Sequence, residues 1–376
     1  MSARHEDASR PIGSQPSISF VLPGPGRTPI GGFKVVYEYA NRLSERGYGV
    51  TVVHAAGVES DTPLMRMPML TARYLRRRLL GGYRPDAWFT LNPRVSIAWV
   101  PSPAARYVPD ADVVVATAWQ TAEWIATYPP VKGKKLYLIQ HLESWSGPAD
   151  RVLATWRLPL RKIVIAEWLH NFAATLGEAA DYVPNGLDFA TFGLDRPPEL
   201  RDPDTALMLY HTAEWKGSCD GLQALRLAKI ERPALHATLF GIPERPRDLP
   251  GWIEYRRMPE QGVLRQLYNG AAVFLAPSWS EGCAAPPGEA MICGSAVVAT
   301  DIGGHREYAI PDKTALLAPA KDPPALARAL VRMIRDDALR LQLAGAGHAF
   351  IRRFTWERAA DAFEHAVRAA LGPRRS

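Results

Sequence analysis

The chain has 376 residues, 47% of them apolar and 22% charged. That is enough for two domains of ordinary size and excludes a disordered, collagen-like or coiled-coil protein for the bulk of it. Lys and Arg number 45 against 38 Asp and Glu, a net charge of +7, which favours anionic partners without choosing among phosphates, nucleic acid and acidic lipid. Three scattered cysteines, Cys219, Cys283 and Cys293, exclude a disulfide framework or a structural zinc site and fit a reduced, cytosolic setting.

Residues 1–16 are polar and read as a disordered leader. The apolar run that follows, Ile18–Leu22, is too short for a secretory signal, and nothing in the chain reaches the roughly 18–20 apolar residues of a membrane span. Short β-rich runs then recur at Ile18–Leu22, Val50–His54, Asp112–Ala116, Leu136–Gln140 and Lys162–Ile165. Between the first two, Phe33, Val36, Tyr37, Ala40 and Leu43 fall on one helical stripe that Gly47 terminates. Near-continuous apolar strands alternating with helices predict a parallel sheet covered on both faces.

The charged, proline-rich stretch Asp195–Asp204 interrupts this pattern and reads as part of a linker over 191–204. The alternation resumes at Ala206–Tyr210, Leu235–Phe240, Ala272–Ala276, Ala296–Ala299 and Ala315–Ala318. Two α/β domains follow, 17–190 and 205–355. Ala360, Phe363, Val367 and Leu371 place a helix over 356–371 that packs back on the first domain.

Four places carry candidate chemistry. A glycine-rich turn, Pro23 to Gly32, runs into the first helix; Gly31 and Gly32 at a helix mouth let an anion approach the backbone, although a flexible turn has the same composition. Its spacing is neither a dinucleotide fingerprint nor a P-loop. His141 closes the strand Leu136–Gln140, suited to a polar or proton-transfer role or to a structural one. His211 and Lys216 follow the strand Ala206–Tyr210, where a lysine reaches a pyrophosphate as a compact charge or is simply solvated. Finally, Ser280 to Met291 contains Glu281 and Glu289 around a small-residue loop, Gly282, Cys283, Ala284 and Ala285. Pro286 or Pro287 starts a helix there, with Glu289 in its first turn. Two acceptor-only carboxylates at a strand's carboxyl end suit a polyhydroxylated ligand; a first-turn Glu serving its own helix dipole is the plain alternative.

Taken together, these segments resemble the retaining GT-B glycosyltransferases of glycosyltransferase family 4, the group 1 enzymes that include the glycogen-synthase-like and sucrose-synthase-like members. The resemblance runs from about Ile18 to Leu371. It rests on Glu281 and Glu289 with seven residues between them, the stretch Ala290 to Thr300, Gly303-Gly304 with Glu307, Gly31-Gly32, Pro184 to Asp188, Lys216-Gly217 and Phe354 to Glu357.

The resemblance implies a GT-B fold, two Rossmann-like doubly wound domains facing across a cleft and moving about Asp188–Asp204. It also implies retaining, metal-independent transfer from a nucleoside-diphosphate sugar to a hydroxyl of a glycan, a lipid-linked saccharide or a secondary metabolite, with no cofactor. Glu289 would hold the ribose, Glu281 and the backbone from Cys283 onward the donor sugar, and Lys216 with Gly31-Gly32 the diphosphate; His141 would sit at the anomeric centre. The chain departs from the family pattern at Tyr210-His211, where an Arg is usual, and at Cys283-Ala284, which reshape the sugar pocket. Rival readings are a UDP-sugar epimerase of the same fold and an inactive sugar-nucleotide-binding protein. The Asp-x-Asp matches at Asp110–Asp112 and Asp202–Asp204 lie before a strand and in the linker, and are read as structural.

The stretch Arg66 to Arg84 concentrates Arg73, Arg76, Arg77 and Arg78 among Met and Leu, suited to an anionic membrane surface or to a solvated helix. Without stacking aromatics in register it does not predict nucleic-acid binding. Localisation is expected to be cytoplasmic, with peripheral contact at the inner membrane face. Trp119, Trp124, Trp145, Trp156, Trp168 and Trp279 are candidates for stacking on sugars, or for the core.

Overall fold

A computed structural model describes residues 15–26, 29–57 and 67–372. Nearly all of the leader, Arg27-Thr28 of the glycine turn, and Arg66 lie outside these. The chain forms two compact units: 1–164, 172–183 and 360–376 make the first, and 165–171 with 184–359 the second.

The first unit holds a sheet of seven strands: β1 (Ser17–Leu22), β2 (Gly49–Ala55), β3 (Ser96–Val100), β4 (Val113–Ala116), β5 (Lys134–Ile139), β6 (Arg161–Val164) and β7 (Ala180–Tyr182). Their order is β3-β2-β1-β4-β5-β6-β7, every pair parallel. Helices α1 (Gly31–Glu45), α2 (Met67–Leu79), α3 (Trp119–Ala126), α4 (Ala149–Thr155) and α5 (Glu167–Thr175) connect them, the first residues of α5, through Asn171, belonging to the second unit. Strand β4 is buried along its whole length, as expected of parallel strands covered on both faces. The predicted stripe Phe33, Val36, Tyr37, Ala40 and Leu43 is the buried face of α1.

The second unit has six parallel strands, β8 (Thr205–Leu209), β9 (His236–Gly241), β10 (Ile253–Arg257), β11 (Val273–Ala276), β12 (Ala296–Thr300) and β13 (Ala315–Ala318), in the order β10-β9-β8-β11-β12-β13. Helices α6 (Ser218–Glu231), α7 (Gln261–Gly270), α8 (Ala285–Ile292), α9 (Gly303–Arg306), α10 (Pro323–Arg335) and α11 (Asp337–Ile351) cover it, and α12 (Trp356–Leu371) ends the described chain. In each sheet the order reverses once, between β1 and β4 and between β8 and β11. At such a switch point the flanking loops diverge and leave a crevice at the strands' carboxyl ends.

Three strands were not anticipated: β3, β7 and β10. The first and last lie at sheet edges and are half exposed, which dilutes the apolar signal, and β7 has only three residues. The proline-rich stretch read as linker lies within the second unit and is anchored there. Buried Arg201 donates from Nη1 to the carbonyls of Tyr268 (3.2 Å) and Ala271 (2.9 Å) and to Ser295 Oγ (3.2 Å), and its Nη2 reaches the Cys293 carbonyl. Asn269 Oδ1 accepts from the backbone N–H of Asp195 at 2.7 Å. On α12, the rings of Phe363 and Tyr39 stack with centroids 4.5 Å apart, and Phe20 lies 5.7 Å away, so this helix completes the core of the first unit.

Candidate active site

The loops after β8 and β11 meet at the switch point of the second sheet. Lys216 closes a short 3-10 turn, Glu214–Lys216, and Gly217 follows at φ +61. A Cβ at Gly217 would lie 2.0 Å from the Pro277 carbonyl oxygen, so only glycine lets the two loops approach this closely. The approach is fixed further by Trp279, whose backbone N–H donates to the Trp215 carbonyl at 2.7 Å and whose indole donates to Asp220 at 2.6 Å.

In consequence Lys216 Nζ donates to both oxygens of Glu281, at 2.8 and 2.9 Å, and Ser278 Oγ donates to Glu281 Oε1 at 2.8 Å. The pair is largely sheltered, with side-chain exposures of 26% and 11%. Behind it, buried His305 lines a cavity of about 20 Å³ together with Lys216, Ser278, Glu281 and Ala284. Its Nδ1 faces the Thr300 carbonyl at 2.9 Å, and its buried Nε2 has no hydrogen-bond partner. Burial first, and then the charge of Lys216, pull its pKa below the usual histidine range; Glu281 opposes them.

His211 sits at the same loop. Its Nδ1 accepts from the Ala213 N–H at 2.9 Å, which leaves the proton of the neutral ring on Nε2. Desolvation and then Lys216 lower its pKa, against Glu281, so the ring is held neutral.

Helix α8 begins at Ala285, with both prolines inside the first turn, where a missing N–H costs nothing. Its N-cap, Ala284, supplies no side-chain cap, and the first turn carries no acid. Glu289 is therefore in the second turn, a correction to the expected first-turn position and to the dipole role that went with it. There it accepts from the buried Tyr268 hydroxyl at 2.9 Å. Gly304 presses against the Glu281 loop, where a Cβ would lie 2.3 Å from the Glu281 carbonyl oxygen, and Gly303 makes room for the Trp168 side chain. Trp168 donates its indole N–H to the Gly282 carbonyl at 2.7 Å, and Glu307 accepts from the Glu167 N–H. Burial pushes the Cys283 thiol well up, so it is not a thiolate nucleophile.

In the first unit the structure brings the end of β5 to the mouth of α1. The Gln140 side chain donates to the Gly32 carbonyl at 3.1 Å, and α1 has neither a side-chain cap at Ile30 nor an acid in its first turn. His141 follows, its ring edge-on to Trp145 at 4.3 Å, with Nδ1 accepting from the Glu143 N–H at 3.4 Å. Glu143 is the residue that sequence reasoning missed. It adopts φ +54, and its carboxylate accepts from the Trp119 N–H at the start of α3 at 2.9 Å. Burial raises its pKa to about 7, with the Trp119 hydrogen bond opposing.

Other candidates are structural. Asp110 pairs with Lys132 and Asp204 with Arg232, and Trp156 and Trp119 are core residues. No group of acids, histidines and cysteines among the described residues has the arrangement of a metal site. No helix among them is long and apolar enough to cross a membrane.

Residues 207–336 match the family described as "Glycosyl transferases group 1". A D-inositol 3-phosphate glycosyltransferase from Xylanimonas cellulosilytica is 37% identical over 103 residues, 27% of this chain and 25% of that protein. A phosphatidyl-myo-inositol mannosyltransferase from Mycolicibacterium smegmatis is 28% identical over 193 residues, 48% of this chain and 50% of its own. The chain thus spans between a quarter and a half of the length of these curated relatives. Among solved structures, a sucrose-phosphate synthase from Thermosynechococcus elongatus superposes with TM-score 0.68 at 16% identity, covering 93% of this chain and 98% of that one. HepE from Anabaena in complex with UDP-glucose does so with TM-score 0.68 at 14% identity, over 94% and 99%. The second unit is therefore similar in sequence to group 1 glycosyl transferases, and the chain has the fold of the GT-B glycosyltransferases, two Rossmann-like parallel-sheet units.

Proposed function

We propose that the chain is a glycosyltransferase that moves a sugar from a nucleoside diphosphate to a hydroxyl acceptor with retention of configuration. The observation that carries the reading is Lys216 and Glu281 meeting at the β8–β11 switch point, with Glu289 set into the helix just beyond. An incoming diphosphate competes with Glu281 for Lys216 and frees the carboxylate oxygens for sugar hydroxyls. His211 contributes its Nε2–H, and the uncapped start of α8 the N–H groups of Ala285 and Gly288, since Pro286 and Pro287 have none. These are the donors that stabilise the charge growing on the departing diphosphate. Glu289 takes the ribose hydroxyls. For Gly31-Gly32 and His141 of the first unit the proposal keeps the roles that the resemblance implies. The proposal gives both carboxylates to hydroxyls, Glu281 to the sugar and Glu289 to the ribose, and therefore reads retention as attack on the donor's front face.

The positive charge required is supplied by the protein, so chelation of divalent ions is expected to leave turnover unchanged. The basic helix α2 and the turn after it, with Met69, Leu75, Leu79 and Leu80 exposed, give the chain an edge suited to an anionic bilayer that presents a lipid-linked acceptor.

The reading is tested with the purified protein and a panel of UDP-, GDP-, ADP- and dTDP-sugars. Glu281→Ala, Glu289→Ala and Lys216→Ala are each expected to lower turnover about a hundredfold, the scale of losing one preorganised transition-state contact. Wild-type turnover in both glutamate variants overturns the assignment.

A further inference from the structure

Away from these residues, the first unit holds a cavity of about 580 Å³ along the edge strand β3, lined by side chains of α2 and of the turn that follows it. This is within the range of small-molecule pockets. Its walls are aromatic. Tyr74 and Trp99 lie nearly parallel, with centroids 6.4 Å apart and planes 22° from each other, and Tyr83 is tilted against Trp99. The polar tips of Trp99 and Tyr83 are spent on the protein: Trp99 donates to the Tyr74 carbonyl at 3.2 Å, and Tyr83 donates to the Gly26 carbonyl at 2.6 Å. What Trp99 offers a ligand is its ring face, whereas Tyr83 is buried and backs the wall.

Two guanidinium groups rest on the same rings. Arg77 lies 4.9 Å from the Tyr83 centroid and 5.8 Å from that of Trp99; Arg78 lies 6.0 Å from that of Tyr74 and donates to its hydroxyl at 3.1 Å. Among the described residues neither has a carboxylate partner, whereas Arg84 at the rim is paired with Asp86 at 2.9 Å. A guanidinium held in place by aromatic stacking, with its charge unneutralised, is preorganised for an anion. The consecutive glycines Gly81 and Gly82, both at φ +86, carry the chain round this wall without a side chain.

We propose that this cavity binds a saccharide ring bearing a phosphate or carboxylate, Trp99 and Tyr74 taking its C–H face and Arg78 its anion. The assignment rests on the glycosyltransferase reading for its sense, since it makes the occupant the anionic portion of an acceptor. Tyr83 links the cavity to that reading in structure. It is bonded to Gly26 in the turn that leads to Gly31-Gly32, and its hydroxyl lies 3.4 Å from that of Tyr37, itself 3.2 Å from His54 Nε2, while His54 Nδ1 meets the Gly24 carbonyl at 2.8 Å. An occupant that presses on Tyr83 therefore touches a buried network holding both ends of the glycine turn's first half.

The test uses the full chain, following the Trp99 indole N–H by NMR, with calorimetry for affinity. Glucose 6-phosphate is expected to shift the Trp99 signal and to bind at least tenfold more tightly than glucose or inorganic phosphate. Arg78→Gln, and separately Trp99→Leu, are expected to weaken it at least tenfold, while circular dichroism and the unfolding midpoint show the variants folded and UDP binding at the second unit stays as in wild type. Vesicles of phosphatidylcholine doped with phosphatidylinositol, against phosphatidylglycerol as the control for charge alone, separate the sources. A Trp99 response to free glucose 6-phosphate names a soluble acceptor, and a response confined to the phosphatidylinositol vesicles a lipid headgroup. The proposal is overturned if neither probe moves Trp99, if inorganic phosphate binds as tightly as the sugar phosphate, if UDP occupies the cavity, or if the folded variants bind like wild type. Because UDP is measured in the same samples, failure of donor binding with the cavity response intact counts against the glycosyltransferase reading alone.

Discussion

Lys216 and Glu281 show how little a residue's type says of its state. Each is an ordinary charged side chain in its own loop, and each becomes half of a sheltered ion pair because Gly217 tolerates a carbonyl oxygen where a Cβ would stand. Gly217→Ala combines an αL backbone with that clash. It is expected to cost roughly 1–3 kcal/mol in thermal or denaturant unfolding and to abolish diphosphate binding by displacing Lys216. Glu143 carries a pH signature of opposite sign to the usual carboxylate. Its folded pKa, about 7, lies above the unfolded carboxylate value, so the native state binds the extra proton. Stability conferred by the neutral form is whole below the unfolded pKa and is lost as pH rises through about 7. Glu143→Gln keeps an acceptor for the Trp119 N–H. It is expected to flatten the decline of denaturant stability between roughly pH 4 and pH 7, worth at most about 3 kcal/mol. An unchanged slope would remove Glu143 as its source.

At the scale of elements, the strands and helices that sequence patterning finds are those with strong periodicity and full burial. The stripe on α1 and the fully buried strands β4, β11 and β12 are of this kind. Edge strands β3 and β10 escape because half-exposed positions carry polar residues. The segment around Arg201 escapes for a different reason. Its composition is that of a linker, and only the carbonyls of Tyr268, Ala271 and Cys293 around one guanidinium make it a strap. Arg201→Met leaves those carbonyls without a donor and is expected to destabilise the chain by about 3 kcal/mol in chemical denaturation. Helix α12 was legible from its spacing, but its role depends on Phe363 meeting Phe20 and Tyr39. Phe363→Ala is expected to cost about 3–5 kcal/mol.

For the whole molecule, the net charge of +7 and the arginines of α2 make association with anionic vesicles a salt-dependent property. Sedimentation with phosphatidylglycerol vesicles is expected to fall steeply as ionic strength rises above physiological, because exposed charges are screened within about 8 Å there. A nucleoside diphosphate at a hundred times its dissociation constant is expected to stabilise the chain by about 2.7 kcal/mol in a thermal shift. By itself the sequence determined the alternation of strands and helices, two α/β units, and which loops carry glycines, acids and basic residues, since hydrophobic periodicity and turn chemistry act over a few neighbours. Only the tertiary structure decided that β8 and β11 lie side by side, which brings Lys216 onto Glu281 across 65 residues of chain. It alone tucked the Glu143 carboxylate against the start of α3 and set Arg77 and Arg78 on the rings beside β3. Strand adjacency and side-chain burial are set by how whole elements cover one another's apolar faces, and no local stretch of chain encodes that.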